Sequence, residues 1–394
     1  MTKRELSPTE ANAEIERLQT EEGLKVVDLR GKSAGEQTAM IAQLKTDIDR
    51  LMKERSLTSP LTLVTGSGKT NDPAVLAEAK EWGHTLGAIV NGGSQHSVMG
   101  AVAEGAKVKI GVTCEAIMKF EIPDNRYDIL VIADGKGVYE GLEKRLELAR
   151  EIAPKELAIQ GGMGTMEEIL GGIKKRGTLA VAEPYWQPLV SNLRRMYADG
   201  YIAADELDKV KVVNPHGTPI DLLSERTPTN PNAEEYRKDT ARVAHAAKNI
   251  LEQRNMKVAI LNSNTPIAET LAAHDAFILA PGDIDTMLQA MLISVDKRLD
   301  IMKNGNPAYP GIKDKKLIVL NVDGFYDGFM KKWREMEKDG YLMESLADLN
   351  IVEAKLHSKD LPDVDIRAEL ANIVPPEKSA RSARAKTDSS FRRP

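Results

Sequence analysis

Residues 157–170, Leu-Ala-Ile-Gln-Gly-Gly-Met-Gly-Thr-Met-Glu-Glu-Ile-Leu, run from a short apolar strand through a glycine-rich turn into the start of a helix. Glycine lets a backbone approach a ligand closely, and the first turn of a helix offers free N–H groups at the positive end of its dipole. The stretch therefore reads as an anion cradle at the carboxyl end of a strand, formed by Gly161, Gly162, Gly164 and Thr165.

Upstream, the same pattern recurs. Leu61-Thr-Leu-Val-Thr is a strand running into Gly66, Ser67 and Gly68, with a helix from Pro73 to about Leu86. Strand Ala88-Ile-Val leads into Asn91, Gly92, Gly93, Ser94, Gln95 and His96, and a helix carrying Met99, Ala101 and Glu104 follows. Strands Val108 to Val112 and Tyr127 to Ala133 come next, then a charged helix from Glu140 to Ile152. Short apolar strands alternating with helices predict an α/β protein, a Rossmann-like parallel sheet covered by helices on both faces. Ligands of such sheets bind at the carboxyl ends of the strands, where the three glycine loops lie.

Downstream, the chain repeats itself. Tyr185-Trp-Gln-Pro-Leu-Val-Ser-Asn-Leu-Arg-Arg-Met-Tyr-Ala-Asp-Gly-Tyr-Ile aligns without gaps on the stretch beginning at Phe325, with identities at Arg194/Arg334, Met196/Met336, Asp199/Asp339, Gly200/Gly340 and Tyr201/Tyr341. Before each block stands a loop–helix signal, Gln160-Gly-Gly-Met-Gly-Thr-Met-Glu-Glu and Pro281-Gly-Asp-Ile-Asp-Thr-Met-Leu-Gln. Two matching blocks in one order indicate a duplication. The second copy lacks a counterpart of the Asn91 loop and is shortened. The boundaries read as helices over 1–58, a first nucleotide-binding domain over 59–225, a degenerate second over 226–360, and an extension over 361–394 ending in a basic tail. Ser7-Pro8 is an N-cap and N1 pair, and Met40, Ile41, Leu44, Ile48 and Leu51 form the stripe of the second helix. Residues 214–232, rich in Pro, Thr and Asn, read as the linker between the copies.

The bulk composition narrows the function. A net charge of -5 leaves no electrostatic footprint for nucleic acid on the whole molecule. The first residues are polar rather than those of a signal peptide, and no stretch is apolar enough to span a membrane, so a cytoplasmic location is expected. Cys114 ends a strand-like run and reads as a core thiol. The histidines have no metal-ligand spacing, and no metal or cofactor is expected. Gly66-Ser-Gly-Lys-Thr is not a phosphate-binding P-loop, because Leu63 stands where that motif needs its first glycine. None of the loops spells the dinucleotide fingerprint G-x-G-x-x-G.

The stretch Val90-Asn-Gly-Gly-Ser-Gln-His-Ser-Val-Met-Gly-Ala-Val-Ala resembles the GGG-x-x-GLMGAVA segment of the Lonely Guy family, the cytokinin-activating phosphoribohydrolases also labelled lysine decarboxylase-like. Gly161-Gly-Met-Gly-Thr-Met-Glu167-Glu168 resembles that family's P-G-G-x-G-T-x-x-E signature. The resemblance covers roughly residues 59–214 and, in degenerate form, 226–358. It implies hydrolysis of the N-glycosidic bond of a nucleoside 5′-monophosphate, giving free base and ribose 5-phosphate. It also implies Glu168 and Arg145 as catalytic residues, the glycine loops as the phosphate site, and a homo-oligomer with sites near the interface. Taken alone, Glu168 is a first-turn carboxylate favoured by the helix dipole and Arg145 an exposed helix charge; the loops make both candidates.

This sequence departs from the family pattern at several places. Gln160 replaces the opening proline, Leu146 the lysine after the arginine, and Ser94 and Ser97 two glycines. In the second copy Gln289 stands for the glutamate, Pro266 for the arginine, and Asp283 and Asp285 for glycines, so that copy reads as a non-catalytic, built-in partner. The alternative to an enzyme is a nucleotide or phosphorylated-cofactor binding protein. His96 reads equally as a ligand for base or phosphate and as a loop residue without a role, and Trp186 reads as core.

Overall fold

A computed structural model describes residues 6–68, 70–93, 97–118, 126–135, 137–175, 179–182, 184–213, 220–221, 229–301, 311–341, 350–356 and 363–373. The helices α1 (Pro8–Glu21) and α2 (Ala34–Glu54) start where their caps dictate. Ser7 with Glu10 and Ser33 with Glu36 each exchange side chain-to-backbone hydrogen bonds in a capping box. Between them lies a strand that a purely helical reading of residues 1–58 omits, β1 (Lys25–Asp28). At a sheet edge a strand needs only one apolar side. Here Val27 alone is buried, so no apolar run announces it.

The first sheet continues with β2 (Thr62–Thr65), β3 (Ala88–Asn91), β4 (Val108–Cys114), β5 (Ile129–Ala133), β6 (Lys155–Ala158), β7 (Leu179–Ala182), β8 (Val210–Val213) and β9 (Ile220–Asp221). Its order among the described residues is β1-β5-β4-β3-β2-β6-β7-β8-β9, parallel throughout except for β8 with β9. β2, β3 and β5 are uniformly buried and β4 is buried but for Lys109, as strands covered on both faces must be. Cys114 is buried in that core. The covering helices are α3 (Pro73–Leu86), α4 (Ser97–Gly105), α5 (Glu115–Met118), α6 (Gly137–Ile152), α7 (Met163–Lys175), α8 (Gln187–Ala198) and α9 (Ala204–Asp208). The strand sequence runs outward from β2 in one direction and from β6 in the other. The switch point therefore lies between β2 and β6, where doubly wound sheets open a crevice.

After α10 (Ala233–Glu252), a second parallel sheet has the order β10 (Val258–Ile260), β11 (Ala276–Leu279), β12 (Lys316–Val322) and β13 (Asn350–Ala354). It repeats the β2-β6-β7-β8 part of the first. The shortening of the second copy is the loss of the β3 to β5 half, and with it the Asn91 loop. The other helices are α11 (Ile267–Ala273), α12 (Ile284–Ile301) and α13 (Asp327–Lys338), and the extension adds the helix Asp363–Ile373. Equivalent residues anchor equivalent loops. The Trp186 indole donates to Ile159 O at 2.9 Å, and the Tyr326 hydroxyl donates to Ala280 O at 2.6 Å. Both side chains are fully buried.

The two copies share one core. α7 packs on α12 and α8 on α13, each helix against its own counterpart, as in a two-fold dimer fused into one chain. Trp186, Leu189 and Leu193 of the first copy meet Phe325, Phe329 and Trp333 of the second in this layer. No described helix is long and apolar enough to cross a membrane. Ser94, His96, most of the 214–232 linker and the basic tail lie outside the described residues.

Candidate functional site

A cleft of about 320 Å³ opens at the switch point, at the carboxyl ends of β2, β3 and β6. That volume suits a small organic ligand. Its floor is tied together by backbone. Ser67 N–H donates to Gln160 O at 2.9 Å, and Val98 N–H to Ser67 O at 3.2 Å, joining all three glycine loops. Ser97 takes the left-handed backbone that glycine usually supplies, with φ 62°. Its Oγ donates to Ser67 O at 2.5 Å, which offsets part of the strain of about 1 kcal/mol that a side chain incurs there.

Of the candidate residues, Gly66, Ser67, Gly68, Gly92, Met99, Arg145, Gly162, Gly164, Thr165 and Glu168 line the cleft. Gly93, Gly161 and Glu167 do not. Gly93 supports the turn, its N–H donating to Asn91 Oδ1 at 2.9 Å. Gly161 lies behind the loop, where a Cβ would overlap Thr165 Oγ1, and its carbonyl accepts from the Tyr185 hydroxyl at 2.7 Å. Burial and the neighbouring charge of Glu168 push the Glu167 carboxyl up to about 7. Leu63, Val112, Leu146 and Ala149 line the cleft as well and form an apolar patch.

Arg145 on α6 and Glu168 on α7 meet inside this cleft. Arg145 Nη2 lies 3.3 Å from Glu168 Oε1, and both side chains are less than one-fifth exposed. A Cβ at position 92 would stand 2.7 Å from Arg145 Nη1, so the glycine lets the guanidinium keep this position. Arg150, one turn further along α6, holds α7 in place. Its guanidinium bonds both oxygens of the buried Glu156 carboxylate and donates to Glu168 O at 2.7 Å. Burial pushes the Glu168 carboxyl up to about 7, against the pull of Arg145. A carboxyl titrating near neutrality, beside a fixed cation and the start of a helix, is equipped for proton transfer.

The corresponding cleft of the second copy is differently furnished. At the start of α12, Asp283 Oδ1 accepts from Thr286 N–H at 2.9 Å and from Thr286 Oγ1 at 2.8 Å. The helix end that would cradle a phosphate already holds a carboxylate. Gln289, in the glutamate position, is buried and donates to Asn262 O at 2.6 Å. Pro266, in the arginine position, lies ahead of α11 as its N-cap. Among the described residues, no group of three or more His, Cys, Asp or Glu side chains could hold a metal ion.

No protein-family model matches the chain, and no curated protein does. Among solved structures, it is similar to the molybdenum cofactor binding protein from the phototrophic bacterium Rippkaea orientalis, with 21% identity over 40% of this chain and 91% of that one, at a TM-score of 0.31. It is also similar to the molybdenum cofactor carrier protein MCP from Chlamydomonas reinhardtii, with 20% identity over 42% of this chain and 95% of that one, at a TM-score of 0.31.

Proposed function

We propose that the first-copy cleft binds a nucleoside 5′-monophosphate and hydrolyses its N-glycosidic bond, as members of the Lonely Guy family do. The meeting of Arg145 and Glu168 inside a cleft floored by three glycine loops carries this reading. The phosphate sits at the start of α7, where N–H groups and the helix dipole favour an anion. The base packs on the apolar patch of Leu63, Val112, Leu146 and Ala149. As the C1′–N bond breaks, the ionised Glu168 carboxylate stabilises the positive charge developing on the sugar and orients a water. The water oxygen bonds to C1′ as the C1′–N bond breaks, and the proton the water gives to Glu168 passes on through solvent to the departing base, leaving free base, ribose 5-phosphate and an ionised Glu168. Arg145 holds the carboxylate in place.

The test is base release by the purified chain from AMP, GMP, IMP, CMP and UMP, followed by chromatography. Release of a free base from one of them supports the reading. Saturable binding without release on any of them replaces it with a nucleotide or phosphorylated-cofactor binder, and no binding removes both. The working form of Glu168 is ionised, and its carboxyl titrates at about 7. The kcat/KM profile is therefore expected to rise with pH through about 7 and level off above it. A profile that is flat there, or falls, removes Glu168 as the base.

The α7 and α8 face, which would pair two single-copy chains, is covered here by α12 and α13. Any homo-oligomer of this chain is built from other surfaces.

A further inference from the structure

The repeat Asp-Gly-Tyr, identical at 199–201 and 339–341, has a mechanical role at the ends of α8 and α13. Gly200 and Gly340 take positive φ, 72° and 74°. Gly200 N–H donates to Tyr197 O and Tyr201 N–H to Met196 O; Gly340 N–H donates to Glu337 O and Tyr341 N–H to Met336 O. This is the pair of closing bonds that glycine-capped helices make, and it fixes the direction of the following tyrosine. Because the copies are related by a pseudo-two-fold, each tyrosine is carried into the other copy's cleft. Tyr201 lines the second cleft and Tyr341 the first.

The two tyrosines differ in what their hydroxyls do. Tyr201 Oη is tied to Thr240 Oγ1 at 2.7 Å. The Tyr341 hydroxyl bonds no described residue and is not among the buried polar atoms left without a partner, so it stays open to solvent while the rest of the residue is buried. Tyr341 lies against the anion cradle itself, where a Cβ on Gly162 would stand 3.1 Å from its Cβ. Its ring meets that of Tyr185 edge-on at 6.2 Å, and the Tyr185 hydroxyl holds Gly161 O. The contrast extends to the helix starts. α12 keeps Asp283 as its own anion, whereas α7 begins with glycines.

We propose that Tyr341, delivered by the second copy, is a phosphate-binding residue of the first copy's cleft, its hydroxyl donating to the anion held at the start of α7. The inference rests on the nucleotide reading above and names a residue of that site which the second copy supplies. It gives the second copy a direct part in ligand binding, as a partner subunit in cis.

The experiment is calorimetric titration of the full chain, wild type and Tyr341→Phe, with ribose 5-phosphate, with AMP and with adenosine, alongside thermal unfolding. A hydrogen bond to a charged group predicts that Tyr341→Phe weakens ribose 5-phosphate and AMP about tenfold or more. Adenosine affinity and Tm stay where they are. Unchanged affinity for ribose 5-phosphate overturns the proposal while leaving the nucleotide reading intact. Equal weakening of adenosine and AMP also overturns it, by assigning the tyrosine to the base or to general packing. Failure of the wild-type chain to bind either phosphorylated compound overturns both.

Discussion

Glu168→Gln is expected to lower base release by about 10²–10⁴-fold, the range that a positioned acid–base group contributes, while nucleotide affinity changes little. The amide keeps the shape of the side chain and still offers an oxygen to Arg145, which lies 3.3 Å away in the native chain. On the proposed mechanism, what it loses is the charge that meets the oxocarbenium-like sugar and the lone pair that takes the proton from water. Stability moves the other way. Burial raises the folded carboxyl from 4.5 to about 7, so protonation favours folding. The cost of the buried charge is fully present above about pH 7 and is relieved as pH falls towards 4.5. A neutral amide escapes that cost, and Tm at pH 8 is expected to hold or rise. Loss of activity with a raised Tm separates a catalytic carboxylate from a structural one. Activity retained in Glu168→Gln removes the residue from the mechanism.

The sheet was readable because β2 to β6 are strands buried among helices, and such strands spell short apolar runs punctuated by glycine. The gathering of three glycine loops at one cleft was readable because each loop follows the carboxyl end of a short apolar strand. β1 escaped because Lys25-Val-Val-Asp at an edge carries neither signal. Arg150 and Glu156 look like ordinary surface charges in sequence; only the fold closes them into a buried pair behind Glu168. Tyr341 was visible as a repeat identity with Tyr201, yet nothing local marks it as part of a site. Its place depends on a pseudo-two-fold that exists only after α7, α8, α12 and α13 have packed.

That packing can be loosened at one point. Gly328, near the start of α13, and Pro188, near the start of α8, hold equivalent positions in the repeat and touch one another. A Cβ at Gly328 would overlap Pro188 O, and Asn192 N and Cβ close the other sides at 3.0 and 3.2 Å. Backbone cannot swing aside as a flexible side chain does, so Gly328→Ala must separate α8 from α13. Overpacking of this kind costs about 1–3 kcal/mol, read as a lowered denaturation midpoint. The interface offers little slack, since Lys332 Nζ is buried 3.0 Å above the Tyr185 ring and Phe329 N–H donates to Asn192 Oδ1. If the second copy serves the first cleft through Tyr341, the shift of α13 also moves that tyrosine away from α7, and ribose 5-phosphate binds more weakly at temperatures where the variant is fully folded. A double-mutant cycle decides the route. Gly328→Ala and Tyr341→Phe acting through one hydroxyl give a combined affinity loss smaller than the sum of the single losses. Full additivity would mean that the interface reaches the cleft by another path, and a lowered midpoint with unchanged affinity would mean that it does not reach the cleft at all.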